Sequence, residues 1–229
     1  NDIEAIERVY EKFGEKIAAV IIVPYEWNEA PAQAYLQHLR QKCDEYGTLL
    51  IFDEVLTGFR LAPGGAQEYF GVTPDLAAFA KAMANGYPLA AFAGKEKYMQ
   101  TLNETILTTT YGGETLSLAA CKATMKILKN DPVHEHIFAM GNRLMTGFKE
   151  IIQAAGVPAR VVGLPPAPSI RFEFEKEEEN RAFQNKLLST LCQNGIFPNE
   201  PWFITYSHQA EDIDQTLGIM EHAVRQCNG

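Results

Sequence analysis

The sequence predicts an α/β fold with a mostly parallel sheet, followed by a smaller α+β unit. In the first part of the chain, continuous apolar runs alternate with segments of helical periodicity, joined by short Gly- and Pro-containing connections. That order is typical of strand–helix–strand units, and continuous apolar runs are typical of parallel strands buried on both faces. A Pro-rich connector at 163–168, which reads GLPPAP, marks the change to the second unit.

Four apolar runs predict the strands of the sheet: 17–23, 48–52, 76–80 and 89–93. The first of them is expected to be buried on both faces. The chain opens on an amphipathic helix that Gly14 ends, and a helix over 35–46, ended by Gly47, separates the first two strands. The segment 81–88, KAMANGYP, is a turn-rich connection between the last two strands.

The later elements follow from the same patterns. Four further helices are predicted over 115–129, 133–155, 177–194 and 209–226. The run 169–174, SIRFEF, alternates like a strand with one wet face, and 204–207 is short and strand-like. We therefore expect a first domain over 1–156 and a small carboxyl-terminal α+β domain over 157–229.

Composition and charge exclude several classes of function. The net charge of −9 argues against a nucleic-acid partner. Apolar runs stay below the roughly 18 residues that a membrane span needs, and the acidic start is unlike a signal peptide. The four cysteines are scattered, which favours reduced thiols in a cytoplasmic protein. His134, Glu135 and His136 are expected to be solvated, so no metal site is predicted.

Two ionisable residues follow the predicted strands: Asp53 and Lys81. Ligands of open α/β sheets bind beyond the carboxyl ends of the strands, so the two could bracket one cofactor. Such a pair suits pyridoxal 5′-phosphate (PLP), because a lysine amine forms an imine with its aldehyde and a carboxylate keeps its ring nitrogen protonated. Taken alone, however, Asp53 is as well explained by a structural cap and Lys81 by a solvated lysine.

The surrounding text resembles that of class III aminotransferases. The segment 52–60, FDEVLTGFR, and the segment 64–75, GGAQEYFGVTPD, are most similar to the glutamate-1-semialdehyde aminomutase branch. The resemblance implies a PLP-dependent transferase of fold type I. It also implies that Asp53 pairs with the pyridine nitrogen, that Val55 packs on the ring, and that Lys81 carries PLP.

A third segment, 109–120 or TTYGGETLSLAA, resembles the family's phosphate-binding segment. There a Thr before a Gly pair holds the cofactor phosphate of the neighbouring subunit, which maps to Thr110 and implies a homodimer with its active site at the interface. A hydroxyl and backbone N–H groups before a helix suit a phosphate, although a plain Gly turn explains the same residues. His208, in a fourth matching segment at 207–217, is expected to be a structural cap.

The chain departs from the family in three respects. Val23 stands where family members have a Glu before Pro. The segment 84–88, ANGYP, stands where aminomutases have a Gly-rich stretch. It is more similar to aminomutase-like enzymes of sugar or surface-polysaccharide pathways. The family's amino-terminal portion, with its Ser/Gly-rich phosphate loop and its ring-stacking aromatic, has no counterpart in the sequence.

These observations predict PLP-dependent transfer of an amino group, by an aminotransferase or an aminomutase. A semialdehyde amino acid and a keto sugar are the candidate substrates, with a small-molecule amino donor. The alternative is a non-catalytic fragment, or half of a split enzyme that needs an amino-terminal partner chain. Decarboxylation or racemisation with the same cofactor also stays open.

Overall fold

The computed structural model describes residues 1–26, 33–105 and 109–228. They form two compact units, of which the first contains Asn1–Tyr25 and residues 33–134, and the second runs from Glu135 onward. The division falls inside a helix that spans Val133–Ala155. The domain boundary near residue 156 stays a prediction.

The first unit is built on a sheet whose four described strands are β1 (Ala19–Ile22), β2 (Leu49–Asp53), β3 (Leu76–Phe79) and β4 (Ala91–Gly94). They lie in the order β1-β2-β3-β4. The pairs β1–β2 and β2–β3 are parallel, and β4 joins antiparallel to β3. The predicted α/β fold with a mostly parallel sheet is therefore confirmed.

The helices of this unit are α1 (Ile3–Phe13), α2 (Gln33–Tyr46), α3 (Ala66–Phe70), α4 (Glu96–Met99) and α5 (Thr115–Asn130). Asp2 caps α1 by accepting a hydrogen bond from the N–H of Ala5 at 2.9 Å. The buried face of α2 carries Leu36, Leu39 and Cys43. Helix α2 contacts both β2 and α1, and this apolar face contributes to stability because burial of apolar area is the main stabilising contribution.

Strand β1 differs from the prediction of burial on both faces. Its residues alternate between exposed and half-buried, and the side chain of Ile21 is 69% exposed. The pairing with β2 explains why the strand forms, but nothing in the described residues covers Ile21. The continuous apolar run therefore predicted the position of the strand correctly, but the predicted burial of both faces was wrong.

Asp75 ties the sheet together just before β3. It is 3% exposed and accepts hydrogen bonds from the N–H of Leu50 and the Nη1 of Arg40, both at 2.8 Å. The Nζ of Lys95 lies 2.6 Å from its other oxygen. Burial alone would raise the pKa of Asp75, but the hydrogen bonds from Lys95, Leu50 and Arg40 outweigh it and lower the pKa to about 2.

The second unit contains helix α6 (Val133–Ala155) from Glu135 onward, strands β5 (Ala159–Val162) and β6 (Ser169–Phe172), and helices α7 (Glu177–Gln193) and α8 (Ala210–Asn228). The two strands pair antiparallel. Three helices meet in one apolar core, with Phe148, Leu191 and Met220 each at most 1% exposed. The arrangement is the α+β type that the sequence predicts.

The predicted strand over 204–207 does not form. Instead the N–H groups of Trp202 and Ile204 donate to the carbonyl oxygens of Pro168 and Pro166, at 2.8 and 3.0 Å. Proline has no N–H to return the hydrogen bond, so this pairing is one-sided and gives no regular ladder. The sequence prediction recognised the extended backbone and overlooked its partner.

All four cysteines carry free thiols, with Cys43 and Cys227 buried, Cys121 half-buried and Cys192 exposed. Within the described ranges, none of the helices has the length and apolar character that crossing a bilayer requires. The cytoplasmic location stays a prediction.

Candidate active site

Asp53 ends strand β2 at the carboxyl edge of the sheet. Its side chain is half-buried, and one carboxylate oxygen accepts a hydrogen bond from the N–H of Val55 at 3.1 Å. The second oxygen accepts no hydrogen bond from the described residues. Asp53 is therefore held on one side and open on the other, as a carboxylate that pairs with a ligand N–H must be.

Lys81 follows strand β3 and begins a turn of 3₁₀ helix over Lys81–Met83. It is exposed and, among the residues that the structure describes, forms no ion pair. Its backbone has a φ of 45°, in the left-handed region that residues with a side chain rarely adopt. Such strain is often found at functional sites, so the backbone marks Lys81 independently of its amine.

The parallel pairing of β2 and β3 brings Asp53 and Lys81 to one edge. Asp53 lies opposite Ala78 in the ladder, and β3 ends at Phe79, two residues before Lys81. Both side chains therefore leave the sheet at the carboxyl ends of neighbouring strands, which is where open α/β sheets bind ligands. The structure places these two predicted residues at one sheet edge, while their roles towards a cofactor stay proposals.

Thr110 lies in a loop that leads into α5. Two tight turns shape it, with the N–H of Gly112 donating to Thr109 at 3.5 Å and the N–H of Glu114 donating to Tyr111 at 3.2 Å. Thr110 is exposed and hydrogen-bonds with none of the described residues. Helix α5 itself packs against the turn that Lys81 begins. The predicted phosphate residue is thus accessible, in the loop before a helix that contacts the Lys81 turn.

The first turn of α5 is closed by Glu114, which sequence reasoning did not single out. Its carboxylate accepts from the N–H of Leu116 at 2.9 Å and from the N–H of Ser117 at 2.6 Å. These are the donors that a helix start would otherwise offer to an anion. A phosphate near Thr110 would therefore depend on the hydroxyl and on the N–H groups of the loop.

Glu54 is the second residue that sequence reasoning missed. It directly follows Asp53 and is completely buried. Its side chain accepts from the hydroxyl of Thr57 at 2.9 Å and from the backbone N–H of Ala66 at 2.6 Å. The available signal was a second acid at the end of an apolar strand, where an exposed turn residue would be expected.

Arg60 ends the segment 52–60, and its guanidinium could meet a substrate carboxylate or form a structural salt bridge. It is half-buried, and burial lowers the pKa of its guanidinium. It follows Phe59, whose φ of 61° is also in the left-handed region and whose carbonyl lies 3.0 Å from the Nε2 of His134. The backbone at Arg60 is thus fixed by local packing, which suits a structural as well as a substrate-binding role.

Comparison with known proteins decides the family. The family model described as "Aminotransferase class-III" matches residues 1–224. The chain belongs to the class III aminotransferase family. It is 32% identical over 234 residues to the 3-aminobutyryl-CoA aminotransferase of Cloacimonas acidaminovorans, covering 99% of this chain and 56% of that protein. It is 35% identical over 237 residues to the glutamate-1-semialdehyde 2,1-aminomutase of Syntrophobacter fumaroxidans, covering 95% and 54%.

Solved structures of transaminases have the same fold. An omega-transaminase from Sphaerobacter thermophilus superposes with a TM-score of 0.92 at 26% identity, over 100% of this chain and 56% of that one. A transaminase with PLP bound gives a TM-score of 0.90 at 24% identity, over 99% and 56%. This class III chain thus spans about half the length of its relatives, and the predicted fold type I and family resemblance are both confirmed.

Proposed function

We propose that the protein containing this chain transfers amino groups with PLP as its cofactor, and that Lys81 is the lysine that binds it covalently. The observation that carries the proposal is that Asp53 and Lys81 follow neighbouring parallel strands at one sheet edge of a class III chain. PLP supplies an aldehyde that condenses with amines and a ring that absorbs the charge of a carbanion. The donor set of this edge fits that group, because it offers the carboxylate of Asp53 and the accessible amine of Lys81.

Each residue then has one task. The open carboxylate oxygen of Asp53 holds a proton at the ring nitrogen, and the half-buried side chain of Val55 contacts the ring. The amine of Lys81 would hold the cofactor covalently and, when free, would accept and return a proton at its Nζ. The hydroxyl of Thr110 donates to the phosphate bound by the neighbouring subunit.

The proposal includes both aminotransferase and aminomutase activity, because relatives with either name match at 32% and 35% identity. The substrates are a small amino donor and a carbonyl acceptor. A semialdehyde amino acid and a keto sugar are the acceptor classes that the sequence favours. Because the relatives' names share amino-group transfer and differ in substrate, they support PLP-dependent amino-group transfer more strongly than either acceptor class.

The proposal also includes a homodimer. Helix α5, which is described throughout, buries only Ser117, and it exposes Leu116 by 68% and Leu118 by 47%. Tyr111, in the loop beside Thr110, is 63% exposed. Exposed apolar surface of this kind is typical of a protein–protein contact. Contact between two such faces would bring Thr110 towards the site of the other subunit.

The chain spans 56% and 54% of the two relatives compared above, which supports a role for the family's amino-terminal portion. We propose that this portion supplies the phosphate loop and the ring-stacking aromatic, either on the same polypeptide or as a partner chain. The alternative, a non-catalytic module, predicts that the chain with this portion added still fails to bind PLP.

The test is the absorbance of the purified protein with PLP. We expect the band of a lysine-bound cofactor in the wild type and in Lys97→Ala, a variant of an exposed lysine, and its loss in Lys81→Ala. Circular dichroism checks that all three are folded. An unchanged band in Lys81→Ala would overturn the proposal, and absence of the band from every form would favour the non-catalytic alternative.

A further inference from the structure

Glu54 is a completely buried carboxylate that the proposed chemistry does not use. Its partners are hydroxyl and N–H groups, and it has no ion pair among the described residues. Burying a charge is unfavourable unless hydrogen bonds replace the lost water. An acid at this buried position therefore indicates that its carboxylate has a specific structural role.

Both carboxylate oxygens of Glu54 are used. One accepts from the hydroxyl of Thr57 at 2.9 Å and from the N–H of Ala66 at 2.6 Å, and the other accepts from the N–H of Gln67 at 3.0 Å. A glutamine has one oxygen, so its NH₂ group would face at least one of these donors. Among side chains of this length, only a carboxylate satisfies the whole set.

The backbone approaches Glu54 so closely that glycine is needed at position 65. A Cβ at Gly65 would lie 2.4 Å from the side-chain oxygen of Glu54, and the φ of Gly65 is 78°. Glu54 therefore joins the turn after β2 to the start of α3. Its two partners there, Ala66 and Gln67, lie 12 and 13 residues later in the sequence. The contact is built into both segments.

The same turn orients Asp53. The backbone N–H of Glu54 continues the ladder by donating to Ala78 at 2.9 Å, and its carbonyl accepts from Gly58 at 2.9 Å. Within this turn the N–H of Val55 donates to the Asp53 carboxylate. The direction of that carboxylate thus depends on a turn whose other side is held by the Glu54 side chain.

We propose that Glu54 is a positioning residue for Asp53: its buried carboxylate fixes the turn that aims Asp53 at the pyridine nitrogen of PLP. The inference rests on the proposed function. It goes beyond that function because Glu54 itself touches neither cofactor nor substrate. Its effect is specific to the ring nitrogen, which separates it from a general effect on stability.

The test compares the affinity of the protein for PLP with that for a carbocyclic analogue, in which C–H replaces the ring nitrogen. We expect the wild type to prefer PLP by about tenfold or more, the value of one hydrogen bond to a charged group. Glu54→Gln should lose most of this preference, as should Asp53→Asn. Glu68→Gln should keep it, because exposed Glu68 caps the neighbouring loop at Gly64 and not the turn after β2.

Affinities are measured by fluorescence titration on variants whose circular dichroism matches the wild type. If Glu54→Gln does not fold, Thr57→Val removes one arm of the same contact and should lower the preference. A folded Glu54→Gln that keeps the wild-type preference overturns the positioning role while leaving the proposed function intact. A wild type that binds both compounds equally overturns the role of Asp53, and the inference with it.

Discussion

The carboxylate of Asp53 accepts a hydrogen bond from the backbone N–H of Val55 at 3.1 Å. An asparagine can accept the same bond through its amide oxygen but carries no charge. Asp53→Asn should therefore keep the fold and lower the rate of the half-reaction with an amino donor on the order of 10²-fold, since the ring nitrogen loses its proton. Single-turnover absorbance measures this rate, and Asp44→Asn, an exposed acid, should match the wild type. Equal rates for both variants would contradict the role of Asp53.

Asp75→Asn should destabilise the first unit. The charge of Asp75 offsets those of Arg40 and Lys95, and its pKa is lowered to about 2 from the ordinary value of 3.8. A lowered pKa stabilises the fold above the unfolded-state pKa, so we expect the variant to lose about 2 kcal/mol at pH 7. Urea unfolding measures this loss.

The pH dependence follows from the same shift. The difference between wild type and Asp75→Asn should shrink as pH falls from about 4 towards 2, because the wild-type carboxyl becomes protonated over that range. Asp44→Asn is the matched control: its exposed pair with Arg40 should be worth less than about 1 kcal/mol. If Asp44→Asn lowered the free energy of unfolding as much as Asp75→Asn does, the buried ion pairs of Asp75 would not be more stabilising than an exposed pair.

Two helical glycines in the second unit should respond to alanine with opposite signs. A Cβ at Gly141, in α6, would lie 1.8 Å from the carbonyl oxygen of Pro165, whereas a Cβ at Gly218, in α8, meets nothing within 4 Å. Gly218→Ala should stabilise the protein by up to about 1 kcal/mol through helix propensity. Gly141→Ala should destabilise it by about 1–3 kcal/mol through overpacking. Thermal unfolding decides, and stabilisation by both would refute the close approach.

The cysteines should differ sharply towards a thiol reagent. Cys43 is 0% exposed, hydrogen-bonds with the hydroxyl of Tyr10 at 3.3 Å, and has a pKa raised by burial. Cys192 is exposed on α7. Mass spectrometry after brief labelling should find Cys192 modified and Cys43 modified only in denaturant. Rapid labelling of Cys43 in the folded protein would contradict the packing of α1 on α2.

Local patterns predicted much of the fold. Helix α6 has the predicted bounds, because its periodicity is strong and Pro132 and Gly156 flank it. Strands β2 and β3 lie within a residue of the predicted runs. Strand β5 was missed because its four residues carry no distinctive alternation next to the Pro-rich connector.

The site was predicted in part for a related reason. Asp53 and Lys81 follow strands that are visible in the sequence, so their common edge was predictable. The burial of Glu54 depends on residues 12 and 13 positions later, and no local pattern shows such a contact. The left-handed backbone of Lys81 and the cap that Glu114 places on α5 also arise only in the folded chain.

The measurement that tests the central claim most directly is reductive trapping of PLP followed by peptide mapping. The protein is incubated with PLP, reduced with borohydride, digested and analysed by mass spectrometry. We predict that the cofactor is attached to Lys81 and that Lys81→Ala loses this attachment while Lys97→Ala keeps it. Attachment spread evenly over exposed lysines, or retained in Lys81→Ala, would contradict the account.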